Sequence, residues 1–220
     1  VNDFNDSLGR YNGTAQGGIV AGNAWGYFQG ENTTYCDGTN DDVEIQAAID
    51  YVDSIGGGTI NLTIGTFLID NYIALQSDIL LQGRGYSTII KRQNTDHAYC
   101  LYAYQKTGTE IKNLVLDGGS STLTYTTSCT LLYCGDSTIA CNSVKAQNLT
   151  ISGNNAFGLW ARGFSYGTHL NQCIVDTISC TNANEYAYAV GYDYCTNLIS
   201  CTVNDIYSQG SLYSYSYGFY

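Results

Sequence analysis

The sequence predicts an all-β fold: a solenoid of short strands, closed at its N-terminal side by one α-helix. Three observations predict it. One amphipathic helical stripe occurs early in the chain. Directly after it, the apolar period changes from 3.6 to 2. From there on, short apolar runs recur, separated by Gly, Asn, Ser and Asp, and no second helical stripe follows.

The helix begins at Asp41, a natural N-cap, and Glu44 three residues later completes a capping box. Ile45, Ala48, Ile49, Val52 and Ile55 fall on one face. Gly56-Gly57-Gly58 ends the helix, because glycine accepts the left-handed geometry of a helix C-terminus. Thr59 to Ile64 then alternates as a strand, Gly65-Thr66 turns, and Phe67-Leu68-Ile69 resumes. Short runs at Ile73, Leu75, Ile79, Leu81, Ile89 and Ile90 follow. Upstream, residues 1–40 form a Gly-rich arm without clear periodicity, read as an extended segment lying over the domain, with an exchanged arm as the alternative. Residues 41–220 form the coil domain.

The run from Asp37-Gly38-Thr39-Asn40-Asp41-Asp42 through Gly56-Gly57-Gly58-Thr59-Ile60 and Gly83-Arg84-Gly85-Tyr86-Ser87-Thr88-Ile89-Ile90 resembles the opening of right-handed parallel β-helix proteins of the pectate-lyase-like superfamily. The resemblance implies a single right-handed parallel β-helix whose N-terminal end is plugged by the helix. The family holds polysaccharide lyases and hydrolases, phage tail spikes and surface proteins without known catalysis, so it carries fold further than function.

Beyond Lys91 two loose series recur at about 24 to 35 residues, the length of one coil of a three-sided β-helix. One reads Ile79-Leu81, Leu114-Leu116, Leu149-Ile151, Cys173-Val175 and Cys201-Val203. The other reads Cys100-Tyr102, Leu131-Tyr133, Gly158-Trp160, Ala187-Val190 and Tyr215-Tyr217. Asn113, Asn148 and Asn171 precede members of the first series and could hydrogen-bond up the coil, or serve only as turn residues. A shift of 28 gives the best internal match and sets Cys173 one coil from Cys201, near the separation a disulfide needs.

Composition narrows the function. No apolar run is long enough for a membrane-spanning helix. A chain that begins at Val1 and contains no Met reads as a processed, exported product. Nine cysteines point to an oxidising compartment, and Cys36, Cys100, Cys129, Cys134, Cys141, Cys173, Cys180, Cys195 and Cys201 are all disulfide candidates, with one necessarily left over. None forms CxxC and there are two His, which argues against zinc. Net charge is −11 with eight Lys and Arg, which disfavours nucleic acid and anionic membranes as partners. No cofactor is expected, with calcium as the one ion that paired carboxylates would take. Sequons at Asn12, Asn32, Asn61 and Asn148 are candidate glycan sites.

The catalytic motifs of the resembling enzymes are missing. Asn94-Thr95-Asp96 matches one hydrolase fragment, but no Gly-His-Gly follows and no Arg-x-Lys occurs. Asp117, Asp176 and Asp205 follow successive strands, with Arg162 between them in sequence order; Asp is also a common turn residue, and no catalytic residue is assigned. His97 and His169 read as turn or surface residues. With 12% charged residues, no proline and 21 tyrosines, the surface suits packing against neighbours. The chain closes with Tyr213, Tyr215, Tyr217 and Phe219 alternating on one strand face, an expected subunit contact. The functional expectation is an exported cell-surface protein that self-assembles into a sheath, layer or filament. Its partners would be copies of itself and cell-surface glycans. The alternatives are a polysaccharide lyase or hydrolase, or a glycan-binding adhesin with a contiguous aromatic groove.

Overall fold

The computed structural model describes residues 19–22, 28–34, 36–94, 99–119, 129–135, 137–151, 160–164, 168–180, 186–190, 198–199, 201–204, 206–208 and 215–217. In chain order these form β1 (Ile19–Gly22), β2 (Phe28–Thr34), α1 (Asp42–Ser54), β3 (Gly58–Leu62), β4 (Gly65–Ile69), β5 (Ile73–Ala74), β6 (Ile79–Gln82), β7 (Thr88–Arg92), β8 (Tyr99–Tyr104) and β9 (Thr109–Asp117). There follow β10 (Cys129–Gly135), β11 (Ile139–Ile151), β12 (Trp160–Phe164), β13 (Thr168–Asn171), β14 (Ile174–Cys180), β15 (Tyr186–Val190), β16 (Leu198–Ile199), β17 (Thr202–Val203), β18 (Ile206–Ser208) and β19 (Tyr215–Tyr217).

The fold is mostly strand, and its pairing is parallel except at the start. Three ladders run along the molecule. The first is β3, β6, the first half of β9, the first half of β11, β13 and β16. The second is β4, β7, the second halves of β9 and β11, β14, and then β17 and β18. The third is β5, β8, β10, β12, β15 and β19. Each pass of the chain visits all three ladders before returning to the first, so like residues stack about 4.8 Å apart.

That stacking makes the core. Ile60, Leu81, Ile111, Cys141 and Leu170 are register partners in the first ladder, and all are buried. Phe67, Ile90, Leu116, Ala146 and Val175 form the matching buried row of the second. Ile73, Leu101, Leu132 and Phe164 form that of the third. Each large side chain so removed from water contributes about 1.5–3 kcal/mol.

Single left-handed residues turn the chain from the first ladder to the second. Asn113 (φ 55°), Ser143 (φ 53°) and Gln172 (φ 52°) occupy this corner in successive coils. These corners correct the sequence alignment. Ile79–Leu81 belongs to the first ladder, whereas Leu114–Leu116 belongs to the second, where its partners are Val144–Ala146. Leu149–Ile151 lies further along the second ladder and pairs with Ile178–Cys180. In the third ladder, Leu132 meets Phe164 rather than Leu159. The expected asparagine stack is different too: Asn171 Nδ2 donates to Asn142 Oδ1 at 3.0 Å, and Asn142 Nδ2 donates to Glu110 Oε1 at 2.8 Å. Asn113 and Asn148 are left-handed bends at two different corners.

The N-terminal end of the coil is covered by two devices. β1 pairs antiparallel with both β2 and β3, so part of the Gly-rich arm is a hairpin on the first ladder. α1 covers the other two ladders with side chains. Asp41 Oδ2 accepts the Leu68 N–H at 2.7 Å, Asp42 Oδ1 accepts the Asp70 N–H at 2.9 Å, and Gln46 Oε1 accepts the Ala74 N–H at 2.8 Å. The second and third ladders thus find hydrogen-bond acceptors where a preceding strand would stand. Ile45, Ala48, Ile49 and Val52 are buried as expected, but Ile55 is 48% exposed, because it is already the C-cap residue. The expected capping box is absent. Asp41 precedes the helix, yet its carboxylate serves Gly38 and Leu68 rather than the first turn. The glycine stop holds: Gly57 has φ +96°, and a Cβ there would lie 2.5 Å from the Asp78 carbonyl oxygen.

Candidate functional site

Three groupings of polar or aromatic side chains stand on this frame. The first is aromatic and lies on the third ladder. Tyr72 precedes β5, Tyr99 and Tyr102 lie on β8, and Tyr133 lies on β10. Tyr102 and Tyr133 are register partners, and their rings stack with centroids 5.4 Å apart and planes 9° apart. Tyr99 lies 5.2 Å from Tyr102 and 4.8 Å from Tyr133. Tyr72 closes the group at 5.4 Å from Tyr102 and 6.4 Å from Tyr99, the latter edge-on. Gly135 makes room for it: a Cβ there would lie 2.6 Å from the Tyr133 hydroxyl oxygen. Tyr72 is 39% exposed, and Tyr99, Tyr102 and Tyr133 are half-buried, so part of the cluster reaches solvent. Amides and a cation flank the same coils. Lys106 Nζ donates to Gln76 Oε1 at 2.6 Å, and Gln46 Nε2 donates to the Ala74 carbonyl at 3.2 Å.

The second grouping is a row on the second ladder. Lys91, Asp117, Gln147 and Asp176 are successive register partners. Asp117 is buried and its carboxylate is fully engaged: it accepts the Gly119 N–H at 2.8 Å, Gln147 Nε2 at 2.8 Å and Asn148 Nδ2 at 2.9 Å. Lys145 Nζ lies 2.8 Å from Asp176 Oδ2 and holds the Asp176 carboxyl below the usual range. Asp117 and Asp176 are two rungs apart, roughly 10 Å, with Gln147 between them, so they cannot share one proton. Asp205 lies outside the described residues. Val175 pairs with Val203, which places Asn204 beyond Asp176. Arg162 is in β12 opposite Thr130, on a different ladder.

The third grouping is Cys36, Asp41 and Glu44, whose ligand atoms all lie within 4.8 Å of one another. Burial, then the neighbouring carboxylates, push the Cys36 thiol well above its ordinary range, and burial raises Asp41 and Glu44. Both Asp41 oxygens already accept backbone N–H groups. Calcium takes six to eight oxygens, so this set does not fit it.

The remaining expected residues are placed as follows. Cys36, Cys100, Cys129, Cys134, Cys141, Cys173 and Cys201 are thiols rather than disulfides in this structure. Cys180 is the last residue of β14, and Cys195 lies outside the described residues. Asn61 accepts a hydrogen bond from Gln82 one coil on, and the Asn148 amide is committed to Asp117. Asn32 is in β2, and Asn12 lies outside the described residues. Tyr215 and Tyr217 pair with Tyr186 and Tyr188, while Tyr213 and Phe219 lie outside the described residues, as do Asp96 and His97. His169 is a half-buried residue of β13, in register with Ala140.

No protein-family model matches the chain, and no curated protein matches it. Solved structures do. One is the A-module of an Azotobacter vinelandii mannuronan C-5 epimerase, at 18% identity and TM-score 0.46, over 83% of this chain. The chain spans 54% of that module's length. Another is a proposed glycosyl hydrolase from Parabacteroides merdae, at 14% identity and TM-score 0.36, over 74% of this chain and 87% of that one.

The tyrosine cluster was not picked out from sequence as a site. A signal for it existed: Tyr102 and Tyr133 end equivalent Leu-Tyr runs in the second series.

Proposed function

We propose that this chain is a non-catalytic glycan-binding surface protein, built on a right-handed parallel β-helix of the pectate-lyase-like type. The tyrosine cluster of the third ladder carries the reading. Four rings within 6.4 Å of a neighbour form one aromatic patch. Aromatic rings suit the C–H faces of a sugar ring. With net charge −11, a neutral glycan suits this surface better than a polyanionic one. The right hand is supported by the strong rule for parallel crossovers, about 98% of which are right-handed. Nine cysteines fit an exported, extracellular location. The acidic row supports no hydrolase: its two carboxylates are tied up and two rungs apart.

The test is affinity electrophoresis through gels holding neutral polysaccharides such as xylan, mannan or hydroxyethylcellulose. Retardation is expected for the parent. Its loss is expected on combining Tyr102→Ala with Tyr133→Ala, since two rings at about 1 kcal/mol each are worth more than tenfold in affinity. Equal migration of parent and variant in every gel overturns the reading. So does release of reducing or unsaturated ends that is lost in Asp176→Asn.

Self-assembly into a sheath, layer or filament is the second reading. It is favoured by a composition of 12% charged residues, no proline and 21 tyrosines, of which Tyr215 and Tyr217 lie in β19. Sedimentation velocity of the parent against Tyr215→Asp with Tyr217→Asp tests it: the parent is expected to associate and the variant not.

A further inference from the structure

We propose that Cys173 and Cys201 form a disulfide between neighbouring coils, made by exchange with an external disulfide. Ile174 pairs with Thr202 and Val175 with Val203, and the Thr202 N–H donates to the Cys173 carbonyl at 2.9 Å. The two cysteines therefore occupy the same position one coil apart, with Cα atoms about 4.8 Å from each other, inside the window of about 4.4–6.8 Å that a disulfide requires.

Their thiols also make matching contacts. Cys173 Sγ lies 3.3 Å from the Cys141 carbonyl oxygen, and Cys201 Sγ lies 3.6 Å from the Leu170 carbonyl oxygen. Cys141 and Leu170 are themselves register partners on the first ladder. Both side chains thus point the same way into the same corner, and closing the bridge draws the two Cβ atoms from the rung spacing of about 4.8 Å to the roughly 3.8 Å that a disulfide takes, a shift of about 1 Å between the coils.

The geometry is selective. Cys100 and Cys129 also lie on one ladder, and their thiols feel each other electrostatically. Yet Thr130 pairs with Tyr99 and Leu132 with Leu101, which places Cys129 two residues off from Cys100. Two residues along a strand and one rung across put their Cα atoms roughly 8 Å apart, too far to bridge without moving backbone.

The chemistry balances as two exchanges. The Cys201 thiolate attacks one sulfur of a small-molecule or protein disulfide and expels a thiolate, leaving a mixed disulfide. The Cys173 thiolate then attacks Cys201 Sγ and expels the second thiolate. The external disulfide is reduced to two thiols, which take up the two protons, and the protein pair is oxidised. Cys201, the more exposed of the two, is the point of entry. Burial pushes the Cys173 thiol up to about 11.

The experiment uses the full chain equilibrated with oxidised glutathione, quenched with iodoacetamide, digested and read by mass spectrometry without reduction. A linked peptide pair holding Cys173 and Cys201 is expected, with both sulfurs protected from alkylation. Alkylation of both residues overturns the proposal, as does a link from either one to a different cysteine. A second reading-out uses urea unfolding of parent and Cys201→Ser. The parent's midpoint is expected to fall on adding a phosphine reductant, and that of Cys201→Ser is expected to move less; equal shifts overturn the assignment.

Discussion

Replacing Asp41 with Ala tests how the end of the coil is closed. Asp41 is fully buried, and its two oxygens accept the Gly38 N–H at 2.8 Å and the Leu68 N–H at 2.7 Å. Hydrogen bonds to a charged group contribute about 1.5–3 kcal/mol each, so the pair is worth about 3–6 kcal/mol before the charge's own burial is subtracted. That penalty is real here, because burial raises the Asp41 carboxyl in spite of the two N–H donors. A net loss of about 2–3 kcal/mol is expected for Asp41→Ala, with a smaller loss for Asp41→Asn, which keeps one acceptor but turns an NH2 toward the other donor. Urea unfolding followed by circular dichroism measures both, with the slope held common. The pH dependence supplies the sign. A carboxyl raised in the folded state contributes stability that is fully present below its unfolded value and lost as pH rises through the folded one. The stability of the parent relative to Asp41→Asn is therefore expected to decline as pH rises above the ordinary carboxylate range. An Asp41→Ala protein within about 0.5 kcal/mol of the parent refutes the idea that this side chain closes the second ladder.

Two further outcomes are expected. Gly57→Ala should lose about 2–4 kcal/mol in the same unfolding assay, from the left-handed backbone and from contact with the Asp78 carbonyl, whereas Ala at Gly56, which has open space around it, should lose less. Asp176, held below the usual range by Lys145, contributes stability that is present above the ordinary aspartate value and lost as pH falls below it; Asp176→Asn should remove about 0.5–1 kcal/mol at neutral pH and flatten that acid limb of the stability profile.

Much of the first coil was legible in the sequence because its signals are local. The stripe of Ile45, Ala48, Ile49 and Val52 and the stop at Gly57 depend only on neighbours along the chain. The later coils were harder. Their corners are single left-handed residues of three different types, Asn113, Ser143 and Gln172, so no one residue type marks the turn. Once a corner is missed, the next strand is assigned to the wrong ladder, as happened when Leu114–Leu116 was set with Ile79–Leu81. The tyrosine cluster depends on residues about 30 positions apart, and no local period shows it. The capping box failed for an energetic reason: Asp41 found two backbone donors outside the helix, and the helix start gave way to the coil.

The order of the ladders has a kinetic consequence. Each new pass must close a loop of about 30 residues onto an edge that exists only if the preceding pass is already in place. Closing such a loop costs roughly 3 kcal/mol of chain entropy, recovered only as the new rung zips along its template. The first template is the surface that α1 and β1 help to complete, where Asp41, Asp42 and Gln46 hold the opening strands. Folding then resembles one-dimensional growth from a seed more than a collapse. Damage to the seed should slow the appearance of every later rung, while damage near β17 should leave the early rungs' rate unchanged.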